Sequence, residues 1–229
     1  MDKYPEIVTE RFDSANFHIN YCLSFVKKHL KGNILEVGAG CGSFTKNYLN
    51  KIKSKQITLT ELDTKNFSDL KERFKENKNI EVVSQNIDKI QKEFDTIMYL
   101  HVLEHIEDDN KEIKHAIERL KKGGTLIFMV PAHQNIYSSL DKAVGHYRRY
   151  ESNFFKKKLF SLERVNIKYL DAIGYFLYFL NKVFFKNETC PSKLKIFVWD
   201  KIFTPFTIII DLLLGYKFGK CILAIYKKN

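Results

Sequence analysis

Cysteine is scarce and scattered: Cys22, Cys41, Cys190 and Cys221 stand far apart, with no CxxC pair or other ligand-like spacing. That absence excludes a disulfide framework and a cysteine-built zinc site, and leaves reduced thiols in a cytoplasm as the expectation. An apolar leader is missing as well, since the opening MDKYPEIVTERF holds no apolar segment, so no export is expected. Long hydrophobic runs are absent too. The greasiest stretches are AIGYFLYFL at 172–180 and FTPFTIIIDLLLG at 203–215, the second broken by Pro205 and Asp211. Neither reaches the roughly 20 apolar residues that a membrane-crossing helix requires. There is no internal repeat or low-complexity tract, and 229 residues suit one well-cored α/β domain, 1–229, rather than two.

Acidic charge is in deficit. Against 38 Lys and Arg stand 27 Asp and Glu, for a formal net charge of +11. A basic surface attracts nucleic acid, anionic lipid or a phosphorylated acceptor; it is equally the mark of a lysine-rich solvated exterior. What the chain has in plenty is aromatic surface, with 19 Phe and 12 Tyr. That exceeds what a plain core needs, so some of these rings are expected to line a pocket or meet something greasy.

Periodicity orders the chain. Apolar residues recur at helical spacing from about Ala15 to Leu30 and stop at Gly32; a strand follows at 33–37, then a helix at 44–52 and a strand at 56–63. Next come a helix at 66–76, strands at 80–86 and 94–100, a helix at 109–121 stopped by Gly123 and Gly124, and a strand at 125–131. A polar loop to Tyr150, a helix at 153–160, a strand at 165–170, a greasy helical region at 172–214 and a strand at 220–228 complete it. The alternation predicts an α/β, Rossmann-like, doubly wound, mostly parallel seven-stranded sheet. Its last strand, short and Lys-ended, is expected to be antiparallel, with a helical insert (171–216) before it.

Ligands of open α/β sheets bind beyond the strand carboxyl ends, where the first strand turns into its helix. Here that turn lies in ILEVGAGCGSFT (34–45), with Gly38, Ala39, Gly40 and Gly42 forming a GxGxG loop. A dinucleotide fingerprint would need its third glycine at Ser43, and Glu36 would repel a pyrophosphate. A carboxylate there suits a cofactor bearing sulfonium and ammonium groups. In these residues the chain resembles the class I S-adenosylmethionine (SAM)-dependent methyltransferases, whose first motif reads E/D-x-G-x-G-x-G. The resemblance implies SAM as cofactor, S-adenosylhomocysteine as product, Glu61 on the ribose with Asp63 the second choice, and Leu62 also at the cofactor. It further implies Asn86 and Ile87 at the adenine, although the family usually has an acid where Asn86 stands. In the VLEH-containing members, Leu100 and His101 would cover the methionine end.

The letters His101, Glu104 and His105 also spell HxxEH, a metalloprotease signature, but they start at a strand end rather than within a helix. Similarity of this segment to the ExxEH of ubiquinone-type O-methyltransferases, which hold a divalent cation there, is interrupted by His101 in place of the first Glu. The mixed N/O set that remains could hold a metal, or Glu104 and His105 orient the loop and cap the following helix; no metal is assigned. The loop 130–151 carries GHYRRY (145–150) with Asp141 upstream, resembling a subset of bacterial and archaeal methyltransferases of unassigned substrate. His105 and His146 are the expected bases and Arg149 the expected acceptor contact, Arg148 and Arg149 sharing substrate binding and loop bracing between them.

The insert, with Lys182, Lys186, Lys193, Lys195 and Lys201 among its aromatics, is expected to be a lid, a membrane-surface face, or a cap packed on the sheet. The activity expected is methylation, at oxygen, of a small-molecule, sugar or lipid-linked acceptor by a cytoplasmic protein with peripheral membrane contact. Two alternatives stay open: an RNA or DNA methyltransferase, though no Asn-Pro-Pro-Tyr-like motif follows the fourth strand, and a non-catalytic SAM-binding protein.

Overall fold

A computed structural model describes residues 12–52, 54–158, 162–186 and 189–229. One seven-stranded sheet runs in the order β3-β2-β1-β4-β5-β7-β6. Its strands are β1 (Gly32–Val37), β2 (Ser54–Thr60), β3 (Ile80–Val83), β4 (Phe94–Leu100), β5 (Leu120–Pro131), β6 (Leu162–Leu170) and β7 (Cys221–Lys228). Pairings from β3 through β5 are parallel, and β7 is antiparallel to both β5 and β6. The expected architecture is therefore present, with the antiparallel strand slotted between its neighbours.

Alternate residues of the central strands enter opposite layers of the core, as the period of two in an extended chain dictates. Leu35, Ile97, Tyr99, Phe128 and Val130 pack in one layer, Ile34, Met98, Leu100, Ile127 and Met129 in the other. The helices that cover them are α1 (Asn16–Val26), α2 (Ser43–Tyr48), α3 (Thr64–Phe74), α4 (Asp109–Glu118), α5 (Ser139–Ala143) and α6 (Ser152–Lys158). Between β6 and β7 lie α7 (Ala172–Phe184), α8 (Lys193–Val198), a π-helical turn (Trp199–Phe203) and α9 (Thr204–Leu213).

Several boundaries differ from the sequence reading. Gly123 and Gly124 do not stop a helix: α4 ends at Glu118, and both glycines lie inside β5, where the register against β4 jumps from Leu120 to Thr125. A glycine pair marks a strand irregularity as readily as a helix stop. Strand β2 ends at Thr60 rather than 63, because Asp63 turns to cap α3, accepting from the Lys65 and Asn66 amides. β3 likewise ends at Val83. The loop after β5 holds a short helix, α5, started by a reciprocal Ser138–Asp141 capping box. The expected end of the helix at 159–160 lies outside the described residues.

Insert and first helix are clamped by buried acids. Asp200, in the π-turn, accepts from the amides of Phe17 and His18 and so caps α1 from 182 residues away. Asp211 accepts from the Tyr21 hydroxyl at 2.6 Å and from the amides of Asp171 and Ala172. Asp171 caps α7 through Gly174 and pairs with Lys220 at 2.9 Å.

Candidate active site

Among the described residues four other than glycine hold a left-handed backbone at the carboxyl edge of the sheet: His101 after β4 (φ 59), His133 after β5 (φ 65), Asp171 after β6 (φ 67) and Tyr216 ahead of β7 (φ 59). Such conformations cost of order 1–3 kcal/mol each and persist where the surroundings enforce them, often at functional sites. Both halves of the site lie along this edge.

On the first half, β1 runs into a loop in which Gly38, Gly40 and Gly42 all have positive φ. Gly38 is required twice over, because a Cβ there would also lie 2.9 Å from the Val102 methyls. At Gly42 a Cβ would press on Phe74 of α3, so this glycine serves helix packing. The Ala39 amide donates to the Thr60 carbonyl at 2.8 Å, and the Gly40 amide to Glu61 Oε2 at 2.7 Å. Glu61 Oε1 accepts from the amides of Leu62 and Asp63. Its carboxylate thus ties the glycine loop to the end of β2 and stands half-buried at the rim. Asp63, spent on its helix cap, is not placed to share that position.

Glu36 is buried, and its Oε2 accepts from the Thr45 and Tyr48 hydroxyls, each at 2.7 Å. Burial pushes its carboxyl up to about 7, opposed by the two hydroxyls. The acid of the glycine motif therefore supports the loop from below, through α2. At the next strand end Asn86 is exposed and opens a 3-10 turn, while the Ile87 side chain is buried in the core. Leu100 is buried at the end of β4, and the His101 amide donates to the Met129 carbonyl.

The His101 ring bridges the halves. Burial opposes its charging, but the Cys221 thiol at the start of β7 and the Glu104 carboxylate hold it above the usual imidazole range. Cys221 is held below the usual thiol range by His101 and His18 despite burial. His18, His101 and Cys221 bring a ligand-type atom each within 4.8 Å of one another. Sequence distance hid this trio, since nothing local to any member signals the others.

On the second half, Glu104 is fully buried and neither carboxylate oxygen has a hydrogen-bond partner. His101 Nδ1 stands 3.6 Å and His146 Nε2 3.9 Å from its Oε1. Burial would raise the Glu104 carboxyl, and the surrounding imidazoles hold it below its ordinary value instead. His105, pushed down to about 4 by burial, is neutral and hydrogen-bonds the Gly145 backbone. Its ring meets His146 edge-on at 4.6 Å between centroids. Glu104, His105 and His146 form a second trio with ligand-type atoms within 4.8 Å.

Asp141 organises this half. Its Oδ1 accepts from His146 Nδ1 at 2.8 Å and Arg149 Nε at 2.9 Å, and its Oδ2 from the Tyr178 hydroxyl at 2.7 Å. Those partners hold its carboxyl down to about 2, against burial. Arg149 is buried, also donates to the Ala132 carbonyl, and lies 4.1 Å over the Tyr178 ring. Arg148 binds Asp109 and the Glu107 carbonyl. Both arginines brace the loop, so the division of labour expected between them is not what the geometry shows. Tyr178, on the insert, was missed by sequence reasoning because its partner lies 37 residues away.

A family model described as a methyltransferase domain matches residues 17–167. An uncharacterized protein of Methanocaldococcus jannaschii is 25% identical over 181 residues, 76% of this chain and 80% of that one. Malonyl-[acyl-carrier protein] O-methyltransferase 2 of Ilyobacter polytropus is 28% identical over 98 residues, 42% of this chain but only 38% of that enzyme. Among solved structures, the N-methyltransferase NodS of Bradyrhizobium japonicum, in complex with S-adenosyl-L-homocysteine, superposes with a TM-score of 0.59 at 18% identity over 99% of this chain and 89% of that one. With the glycine loop, the Glu61 contact and the seven-stranded sheet in place, the chain belongs to the methyltransferase-domain family and is a class I SAM-dependent methyltransferase.

Proposed function

We propose that the chain, acting as one unit over residues 1–229, methylates an oxygen of a small-molecule acceptor presented to the Glu104, His105 and His146 face. The observation that carries this reading is the Asp141–His146–Glu104 line. A half-buried imidazole is hydrogen-bonded to a carboxylate on one nitrogen and has its other nitrogen 3.9 Å from the buried Glu104 carboxylate, whose oxygens make no hydrogen bond. The likeness to an O-methylating enzyme supports oxygen as the atom modified.

SAM, when bound, supplies a methyl group made electrophilic by its sulfonium. The residues at the first half fit it: the left-handed glycine loop admits a close ligand, and the half-buried Glu61 carboxylate keeps a lone pair on Oε2 for a hydroxyl donor. Glu61 would hold the ribose, Gly38, Ala39, Gly40 and Gly42 the backbone cradle, Leu62, Asn86 and Ile87 the adenine side, and Leu100 and His101 the methionine end. Glu36 acts through Thr45 and Tyr48 by fixing α2 beneath the loop.

Displacement at a sulfonium needs no help for the leaving group, so orientation can supply up to roughly 7–11 kcal/mol of the barrier reduction. A hydroxyl acceptor must still lose its proton. His146 Nε2 takes it, and Asp141 at Nδ1 steadies the resulting imidazolium; a positioned base contributes about 10² to 10⁴ in rate. Neutral His105 lines the same face. Arg149 is a positioning residue, holding Asp141 and Tyr178 in register.

The test pairs methyl-tritiated SAM with a fractionated cell extract. Wild type is expected to label a small-molecule fraction. His146→Gln is expected to bind S-adenosylhomocysteine within about twofold of wild type and to lose about 10² to 10⁴ in turnover. Undiminished turnover in that variant, or no labelled acceptor with wild type, sinks the proposal.

A further inference from the structure

Helix α9 is inside out. Its buried positions are Thr204, Thr207 and Asp211, spaced as one helical face, and all three are polar. They are also satisfied: the Thr204 hydroxyl donates to the Trp199 carbonyl, the Thr207 hydroxyl to Asp171, and Asp211 accepts from Tyr21. The opposite face, Phe206, Ile209 and Leu213, is exposed, Leu213 by 76% and Ile209 by 57%. A helix covering a water-soluble domain normally puts its apolar stripe inward. Here the polar stripe anchors the helix and the apolar stripe is left outside.

Helix α7 also turns an apolar stripe outward. Phe176, Phe179, Leu180, Val183 and Phe184 are exposed at spacings of three and four, forming one stripe. From α8, Leu194 and Phe197 join it, exposed by 71% and 56%. Contiguous apolar exposure on this scale marks a contact surface. Neither helix is long enough to cross a bilayer, α7 having 13 residues and α9 having 10, and no helix among the described residues is long and apolar enough to do so. A short helix with such a stripe lies in the interface plane.

Charge selects the occupant. Lys186, Lys193 and Lys217 are exposed around the stripe, with Lys182, Lys195 and Lys201 half-buried beside it. Among the described residues from 172 to 217 the only acids, Asp200 and Asp211, are buried. A second copy of this chain would bring lysine against lysine across the contact. Anionic lipid headgroups meet the same surface with complementary charge.

We propose that α7, α8 and α9 form a docking face for an anionic bilayer surface, which the insert meets lying flat with its apolar side chains among the acyl chains and its lysines at the phosphates. This deepens the reading above and rests on it for the acceptor face, to which it adds that the acceptor is drawn from the membrane. The inner side of α7 supports that link. Tyr178 on that side reaches Asp141, and the Tyr175 hydroxyl accepts from Asn135 in the loop that carries His146. The docked face and the acceptor face thus share one helix.

Vesicle flotation tests the docking without SAM or acceptor, so its outcome is independent of methyl transfer. Wild type is expected to float with phosphatidylglycerol-containing vesicles, at least tenfold less with pure phosphatidylcholine, and less as salt rises. The double variant Ile209→Glu with Leu213→Glu, and separately Phe179→Glu with Val183→Glu, are each expected to lower the partition coefficient at least tenfold while binding S-adenosylhomocysteine as wild type does. That affinity guards against misfolding. Failure of wild type to float with anionic vesicles overturns the proposal, as does undiminished flotation of both folded variants. A concentration-dependent dimer that Ile209→Glu with Leu213→Glu dissolves, without vesicle binding, assigns the face to a second copy instead. Should docking hold while labelled methyl reaches only water-soluble acceptors, the membrane source of the acceptor falls and the docking stands.

Discussion

Along one edge of the sheet, the half proposed to take the cofactor and the half proposed to take the acceptor are held by different materials. In the first, backbone amides do most of the holding: Ala39 on the Thr60 carbonyl, Gly40 on Glu61, Leu62 and Asp63 on Glu61 again. In the second, side chain meets side chain, as Asp141 gathers His146, Arg149 and Tyr178. A backbone-built site depends on few side-chain identities, chiefly those that permit its turns. A side-chain network can be broken at any member, because each buried partner left behind is stranded in a medium that does not solvate it.

The largest stability effect is expected where the network is cut at its centre. Asp141→Leu leaves Arg149 buried beside an apolar group, and thermal or urea unfolding should register a loss of about 3–5 kcal/mol. A loss below 1 kcal/mol would show that the loop is held by backbone after all, erasing the contrast. A second test concerns the one buried acid of the cofactor half. The folded-state pKa of Glu36 is raised to about 7 from an ordinary 4.5, so the native protein retains this proton over a range where the unfolded chain releases it. Stability from this group is fully present below pH 4.5 and is lost as pH rises to 7, on the order of 3 kcal/mol across the window. Urea titrations between pH 5 and 7.5 should show that decline in wild type and a flatter profile in Glu36→Gln.

Smaller still is the expected loss at Glu61, the side chain on which the backbone half depends. Glu61→Ala removes charge-assisted bonds of about 1.5–3 kcal/mol each, so calorimetry should find S-adenosylhomocysteine affinity weaker by roughly 10²-fold. Stability should also fall, by about 1–3 kcal/mol, because the Gly40, Leu62 and Asp63 amides lose their acceptor. Asn86→Ala, at an exposed neutral residue, should weaken the same affinity by no more than about tenfold. If Asn86 proves the costlier of the two, the ribose and adenine assignments must be exchanged.

Legibility followed the same division. Gly38, Gly40, Gly42 and Glu61 could be read from the sequence because turn geometry is local and a strand end fixes the acid at a set spacing. Asp63 stayed a second choice behind Glu61 until the structure showed it capping α3. Gly123 and Gly124 misled because the same residue type ends a helix and interrupts a strand. On the proposed acceptor side the motifs brought His105, His146 and Arg149 forward, but not the contacts that they make. Arg149 turned out to brace, and Tyr178 and Cys221 entered from elements that no motif connects to the loop. The 172–214 region read as greasy and helical; that α9 buries its polar face is a property of tertiary contacts and leaves no trace in composition.

Asp200 carries one more implication, for the modularity of the chain. By capping the first helix from within the insert, it makes the two segments mutual conditions of order. An engineered or natural deletion of 172–214 would therefore remove more than a peripheral attachment. It would uncap α1 and leave the Tyr21 hydroxyl without its acceptor beside the sheet. Transplanting the insert onto another methyltransferase would fail for the mirror-image reason, unless Phe17, His18 and Tyr21 travelled with it. Such a segment is inherited or lost as a pair with the amino-terminal helix, and variants that trim either partner alone should be rare among proteins that keep the other.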